Sequence, residues 1–136
     1  MRVMAIDPGT SRHGVAASDT LGMIATPLPF LPASGKGGGL DALVAAAMTM
    51  EASLVLVGYP LNMDGSIGPR AKAAERLAEE LRSRLPMEVR LTDERLSSVE
   101  AQELLREAGR DTRKNKGIID SAAAAVMLQR YLDRNG

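Results

Sequence analysis

The sequence predicts an α/β domain built on a five-stranded mixed sheet, with three antiparallel strands extended by two parallel ones and helices on the faces. Three short apolar segments within the first 30 residues are separated by two closely spaced turns. Such turns favour an antiparallel meander, because a parallel crossover needs a dozen or more residues. Beyond residue 39, segments with helical spacing alternate with short apolar runs, which indicates parallel strands joined by helical crossovers.

The first three strands form the N-terminal part of the predicted sheet. The first covers residues 2–6, the second Gly14–Ser18 and the third Met23–Leu28. Pro27 and Pro29 cannot donate backbone hydrogen bonds, so the third strand is predicted at an edge of the sheet.

The six later elements follow from apolar periodicity and from the positions of proline, glycine and capping residues. They are a helix after the glycine-rich segment 35–39, a buried strand Leu54–Gly58, a helix starting at Pro69, a strand Val89–Thr92, a helix starting at the capping box Ser97–Glu100, and a final helix from Ile118 to about Arg134. Neither an internal repeat nor a long linker divides this order. Residues 1–136 are therefore predicted to form a single domain.

Composition excludes several classes of function. The 136 residues contain 17 basic and 17 acidic side chains, so the net charge is zero and no large positive field attracts nucleic acid or membrane. Aromatic residues make up 2%, which argues against a reader that stacks single-stranded bases. With no cysteine and one histidine, thiolate and multi-imidazole metal sites are excluded. Without a signal or membrane segment in the sequence, we expect a cytoplasmic protein.

Three acidic positions are the strongest candidates for chemistry. Asp7 ends the first strand, the pair Asp93 and Glu94 ends the fifth, and Asp120 lies in the first predicted turn of the last helix. Each has an ordinary structural explanation when taken alone. The predicted topology brings them to one sheet edge, where clustered carboxylates need a cation. Oxygen ligands suit Mg²⁺ or Mn²⁺, and a pair of such ions about 3.5–4 Å apart is common machinery for phosphodiester hydrolysis.

The turn after the first strand is suited to phosphate contact. Gly9 lets the backbone approach closely, while Thr10, Ser11 and Arg12 supply hydrogen-bond donors. A similar turn occurs in the sugar kinase and actin superfamily. Those proteins clasp a nucleotide between two such domains, which this length excludes. His13 is left open between a general base, a phosphate donor and a solvated side chain.

Two further segments are candidates for nucleic-acid binding. Asn62 and Ser66 follow the fourth strand and precede a helix. A basic loop and the residue after the acidic pair could track a phosphate backbone, although a solvated loop is the alternative. These basic candidates are Arg95, Arg110, Arg113, Lys114 and Lys116. The segment 35–39 is interpreted as a flexible loop, because Lys36 is not followed by Ser or Thr as in a Walker A loop.

Five stretches together resemble the YqgF/RuvX family of bacterial ribonuclease H-like nucleases. In chain order they are residues 5–10 (AIDPGT), 14–19 (GVAASD), 57–66 (VGYPLNMDGS), 92–101 (TDERLSSVEA) and 119–124 (IDSAAA). The resemblance implies a ribonuclease H-like fold and a divalent-metal nuclease. It also implies processing of the 5′ end of precursor 16S ribosomal RNA, or the resolution of Holliday junctions.

The same resemblance assigns site residues by position. Asp7, Glu94 and Asp120 match the catalytic, metal-binding acids of the family, with Asp93 as an alternate ligand. The chain departs from the usual family pattern at three positions, which are Ala5 in place of glycine, Ser11 in place of lysine and His13 in place of an aliphatic residue. The implied partner is structured RNA or branched DNA. Junction resolution would normally require a homodimer, and a non-catalytic RNA-binding or ribosome-associated module is the remaining alternative.

Overall fold

A five-stranded mixed sheet forms the centre of the protein, as the sequence predicts. The computed structural model describes residues 1–62, 64–93 and 121–135. The strands lie in the order β3-β2-β1-β4-β5, with β1 antiparallel to β2 and parallel to β4. Their bounds are β1 Val3–Asp7, β2 Arg12–Ser18, β3 Ala25–Pro32, β4 Leu54–Tyr59 and β5 Glu88–Asp93.

Three described helices cover the two faces of this sheet. They are α1 Gly39–Thr49, α2 Pro69–Arg84 and α3 Ala122–Asn135. The predicted helix that starts at Ser97 lies outside the described residues, as do residues 118–120 of the predicted final helix. No helix in the described ranges is both long and apolar enough to cross a membrane.

Strand β1 divides the core into two layers. Met4 and Ile6 pack with α1 and α2, whereas Val3 and Ala5 pack with α3, because successive strand residues point to opposite faces. All four of these side chains are completely buried. A strand that is covered on both faces has a continuous apolar sequence. In β1 this apolar sequence ends at Asp7.

Strand β3 is an edge strand, but its predicted bounds were wrong. The prediction of Met23–Leu28 is corrected to Ala25–Pro32. The Asp19 carboxylate accepts hydrogen bonds from the amides of Met23 and Ile24, at 2.7 and 3.0 Å, and so folds both residues into a loop. Gln129 of α3 then accepts from the amide of Ala25 at 2.9 Å, where the strand begins.

The loop that Asp19 organises makes a testable contribution to stability. Its two amide hydrogen bonds lower the pKa of Asp19, because they favour the charged carboxylate. This stabilisation is fully present above the usual carboxyl pKa of about 4 and is lost as the pH falls through the lowered value. We expect Asp19→Asn to lower the urea midpoint at pH 7, and the gap from wild type to shrink towards pH 3. A gap independent of pH would contradict this assignment.

Candidate active site

Asp7 stands at the point where the central strand β1 meets solvent. It is half-buried and pairs in register with Gly14 of β2, while β4 flanks the strand on its other side. By strand alternation it shares the α3 face with Val3 and Ala5. The backbone of Asp7 is thus paired with β2, one residue beyond the last register pair that β1 forms with β4.

The turn that follows Asp7 is tightly closed around Gly9. The Gly9 amide donates a hydrogen bond to Nδ1 of His13 at 3.2 Å. A Cβ at position 9 would lie 2.1 Å from the carbonyl oxygen of Arg12, so only glycine fits without movement of the backbone. The turn leaves Thr10, Ser11 and Arg12 exposed, as expected for residues that contact a ligand.

His13 is a buried part of this turn, so the solvated alternative was wrong. Its residue is 7% exposed. Burial lowers its pKa, while the negative charge of Asp7 acts in the opposite direction. Since Nδ1 accepts the Gly9 amide, the neutral ring carries its proton on Nε2. The histidine thus ties the turn to β2.

Arg12 is held above the single phenylalanine of the chain. Its guanidinium carbon lies 5.0 Å from the ring centroid of Phe30 in β3, within the range of a cation–π contact. The amide of Ala33 donates to the carbonyl of Ser11 at 3.0 Å and fastens the end of β3 to the turn. Arg12 begins β2 at the same end of the sheet where Asp7 ends β1, with its guanidinium over Phe30.

Asp93 ends β5 at the same end of the sheet, but on the far side of β4. Its register partner is Tyr59. Two inter-strand spacings separate β1 from β5, about 10 Å. Because side chains alternate along a strand, Asp93 lies on the same face of the sheet as Val89 and Leu91, which pack with α1 and α2. Asp7 lies on the opposite face, with α3. As an edge residue, Asp93 also borders a small cavity next to Arg130 of α3.

Asn62 and Ser66 close the loop between β4 and α2. Asn62 Nδ2 donates to Ser66 Oγ at 2.9 Å, and that hydroxyl donates to the Asp64 carboxylate at 2.6 Å. Gly65 turns the chain with a φ of 87°, in the left-handed region. Both predicted contact residues are exposed, and their role in nucleic-acid binding stays a prediction.

Ser121 is a site-forming residue that the sequence reasoning missed. It is completely buried, and its Oγ accepts the amide hydrogen of Val15 at 2.8 Å, across 106 residues. Its carbonyl accepts from Ala125 at the start of α3. The bond fixes α3 to β2 beside the end of β1. A serine before an alanine run is a helix-start signal, but its partner is not visible in the sequence.

Removal of the Ser121 hydroxyl should destabilise the fold. Ser121→Ala leaves the buried Val15 amide without its acceptor, and we expect the free energy of unfolding to fall by about 1–3 kcal/mol. Ser83→Ala is the control, because the Ser83 hydroxyl also makes one hydrogen bond, as donor to the carbonyl of Glu80, but is exposed. Urea unfolding measures both variants. Equal losses in the two would show that the buried bond carries no special weight.

Comparison with known proteins identifies the family. The model of the RuvX family, described as Holliday junction resolvase, matches residues 1–134. The chain belongs to the RuvX family. Relatives include an Opitutus terrae protein, 43% identical over 98% of this chain and 92% of its own length, and a Geobacillus kaustophilus protein, 42% identical over 98% of both chains. Both are called "Putative pre-16S rRNA nuclease".

Solved structures confirm the predicted ribonuclease H-like fold of this RuvX chain. The fowlpox virus Holliday junction resolvase superimposes with a TM-score of 0.61 at 11% identity and covers the whole of both chains. Thermus thermophilus RuvC, in complex with a Holliday junction substrate, gives 0.56 at 12% identity over 100% of this chain and 96% of its own. At such low identity these likenesses establish the fold.

The remaining predicted site residues of the RuvX chain lie outside the described residues. They are Glu94, Arg95, Arg110, Arg113, Lys114, Lys116 and Asp120. Within residues 1–62, 64–93 and 121–135, no three acidic or histidine side chains form a group that could hold a metal ion. Of the four predicted acids, the described residues include Asp7 and Asp93, whose carboxylate oxygens are of the type that suits Mg²⁺ or Mn²⁺.

Proposed function

We propose that this RuvX chain is a divalent-metal-dependent endonuclease that hydrolyses phosphodiester bonds in structured nucleic acid. Its proposed reaction is processing of the 5′ end of precursor 16S ribosomal RNA. The proposal rests on sequence identity above 40%, over nearly the whole chain, to proteins that are named for that substrate. The position of Asp7 beside a closed turn that is rich in hydrogen-bond donors independently supports phosphodiester hydrolysis.

We propose Asp7, Glu94 and Asp120 as the metal ligands. Asp7 fits this role because its carboxylate oxygens stand at the end of a strand that is paired on both sides. Asp93 belongs by strand alternation to the α1 and α2 face of the sheet, opposite to Asp7, and so is the less favoured of the two adjacent acids. Glu94 lies outside the described residues and is proposed because the family resemblance matches it to a catalytic acid. Two metal ions held there would activate a water molecule and stabilise the negative charge of the transition state.

The residues of the turn would bind and orient the substrate. The exposed Thr10 and Ser11 hydroxyls and the Arg12 guanidinium donate hydrogen bonds to phosphate oxygens. His13 holds the Gly9 amide and so keeps the donors at a fixed distance from Asp7. Asn62, Ser66 and the basic residues Arg95, Arg110, Arg113, Lys114 and Lys116 would extend this contact along the backbone of the nucleic acid.

Resolution of Holliday junctions is the second candidate, favoured by the description of the family model. The two reactions make different demands on assembly. Symmetric cuts across a junction require two active sites, and hence normally a homodimer, whereas trimming of an RNA end does not. Light scattering on the purified protein, which measures whether it is a monomer or a dimer, is therefore the first experiment that distinguishes the two candidates.

One cleavage experiment tests the proposal directly. The purified chain is incubated with a precursor 16S ribosomal RNA fragment and, separately, with a four-way DNA junction, in the same Mn²⁺ and salt. Cleavage of the RNA that EDTA abolishes is the expected result. Cleavage of the junction alone would support the second candidate. Tight binding in EDTA without cleavage in Mn²⁺ would instead support a non-catalytic binding module.

A further inference from the structure

A second arginine reaches the turn beside Asp7 from the opposite side to Arg12. Arg70 is exposed near the start of α2, and its Nη2 lies 3.4 Å from the carbonyl oxygen of Pro8, across 62 residues. Pro8 directly follows Asp7 in the chain. The turn is therefore flanked by Arg12, on the side of β3, and by Arg70, on the side of α2.

The contact with Pro8 orients Arg70 without using up its donors. At 3.4 Å the hydrogen bond is longer than the usual 2.7–3.2 Å range and is correspondingly weak. A guanidinium has five N–H donors, so one long bond to a carbonyl leaves most of them for a ligand. The side chain is thus already held near the turn, which reduces the entropy lost on binding.

The other arginines near the ends of α2 are engaged differently. Arg82 donates to Glu79 at 2.5 Å, and Arg84 donates to Asp41 at 3.0 Å. Arg70 instead contacts a backbone carbonyl and borders an open groove with Pro60, Leu61, Asn62, Gly68 and Pro69. None of these lining residues carries an acidic side chain.

We infer that Arg70 contacts a substrate phosphate, on the opposite side of the scissile bond from the phosphate that Arg12 contacts. The inference rests on the proposed function and adds a contact residue to it. Two cations on either side of Asp7 would hold the nucleic-acid backbone across the carboxylate. A bidentate guanidinium suits this task, because its donor pair matches two phosphate oxygens.

The salt dependence of binding tests the role of Arg70. The parent is Asp7→Asn, in which cleavage is expected to be strongly slowed, and its affinity for the RNA fragment and the four-way junction is measured at several KCl concentrations. In this background we expect Arg70→Gln to reduce the slope of log affinity against log salt by about 0.7–0.9 for the better ligand. Arg76→Gln, an exposed position six residues later on the same helix, should leave the slope unchanged.

The possible outcomes separate this inference from the proposed function. If the parent binds neither nucleic acid, and wild type cleaves neither, the proposed function fails and the inference fails with it. If the parent binds and the slope of log affinity against log salt is the same for Arg70→Gln as for Arg76→Gln, the inference alone is overturned. A merely structural role through Pro8 would lower thermal stability without moving the slope, so thermal unfolding of both variants is measured alongside.

Discussion

Asp7→Asn is expected to reduce metal-dependent cleavage by about 10³-fold or more while the fold is retained. The change removes one carboxylate charge from the proposed metal site. A metal ion contributes several kcal/mol of transition-state stabilisation, and each 1.4 kcal/mol corresponds to a factor of ten in rate. The residue is half-buried at the end of a strand, and asparagine has nearly the same shape.

The measurement is single-turnover cleavage of the preferred substrate in Mn²⁺, with circular dichroism to verify folding. Asp41→Asn serves as the matched control, because this exposed carboxylate pairs with Arg84 on the helical layer. We expect the control to cleave at the wild-type rate. Full activity in Asp7→Asn would remove the central residue of the proposed mechanism.

Gly9→Ala is expected to lower the cleavage rate by about 100-fold, through displacement of the turn rather than loss of a reacting group. The added methyl would lie 2.1 Å from the Arg12 carbonyl oxygen, so the backbone must move. A misplacement of about 1 Å near a reacting centre can cost this much. The movement also disturbs the Gly9 amide bond to His13.

Separate values of kcat and KM distinguish the expected effect from simple unfolding. Thr20→Ala, at an exposed position in the turn after β2, is the control for an alanine in a turn of the same sheet. A Gly9→Ala protein with wild-type kcat would show that the closed turn is not needed for catalysis.

The arrangement of the sheet could be predicted because it depends on local patterns. Two short turns dictate the antiparallel start, and the apolar strand Leu54–Tyr59 after a helix dictates the parallel extension. The prolines in β3 mark the edge. The position of Asp7 follows from the same patterns, because the apolar run before it ends there.

The features that sequence reasoning missed depend on partners far away in the chain. The start of β3 is set by Gln129, 104 residues later, and by the side chain of Asp19. Ser121 finds its partner 106 residues earlier. His13 is buried because β2 lies inside the sheet, between β3 and β1. Apolar periodicity contains no information about such pairs, since each bond forms only after the layers have assembled.

The prolines of β3 also restrict how two copies of the protein could assemble. Pro27 pairs in register with Ala16, and Pro29 lies where the register shifts between Val15 and His13; neither residue has an amide hydrogen to donate. A strand from a second molecule would find no amide hydrogen at either position of this outer edge. Joining two sheets into one continuous sheet at β3 is therefore disfavoured. If two copies combine to cut a junction, we expect them to meet through another surface.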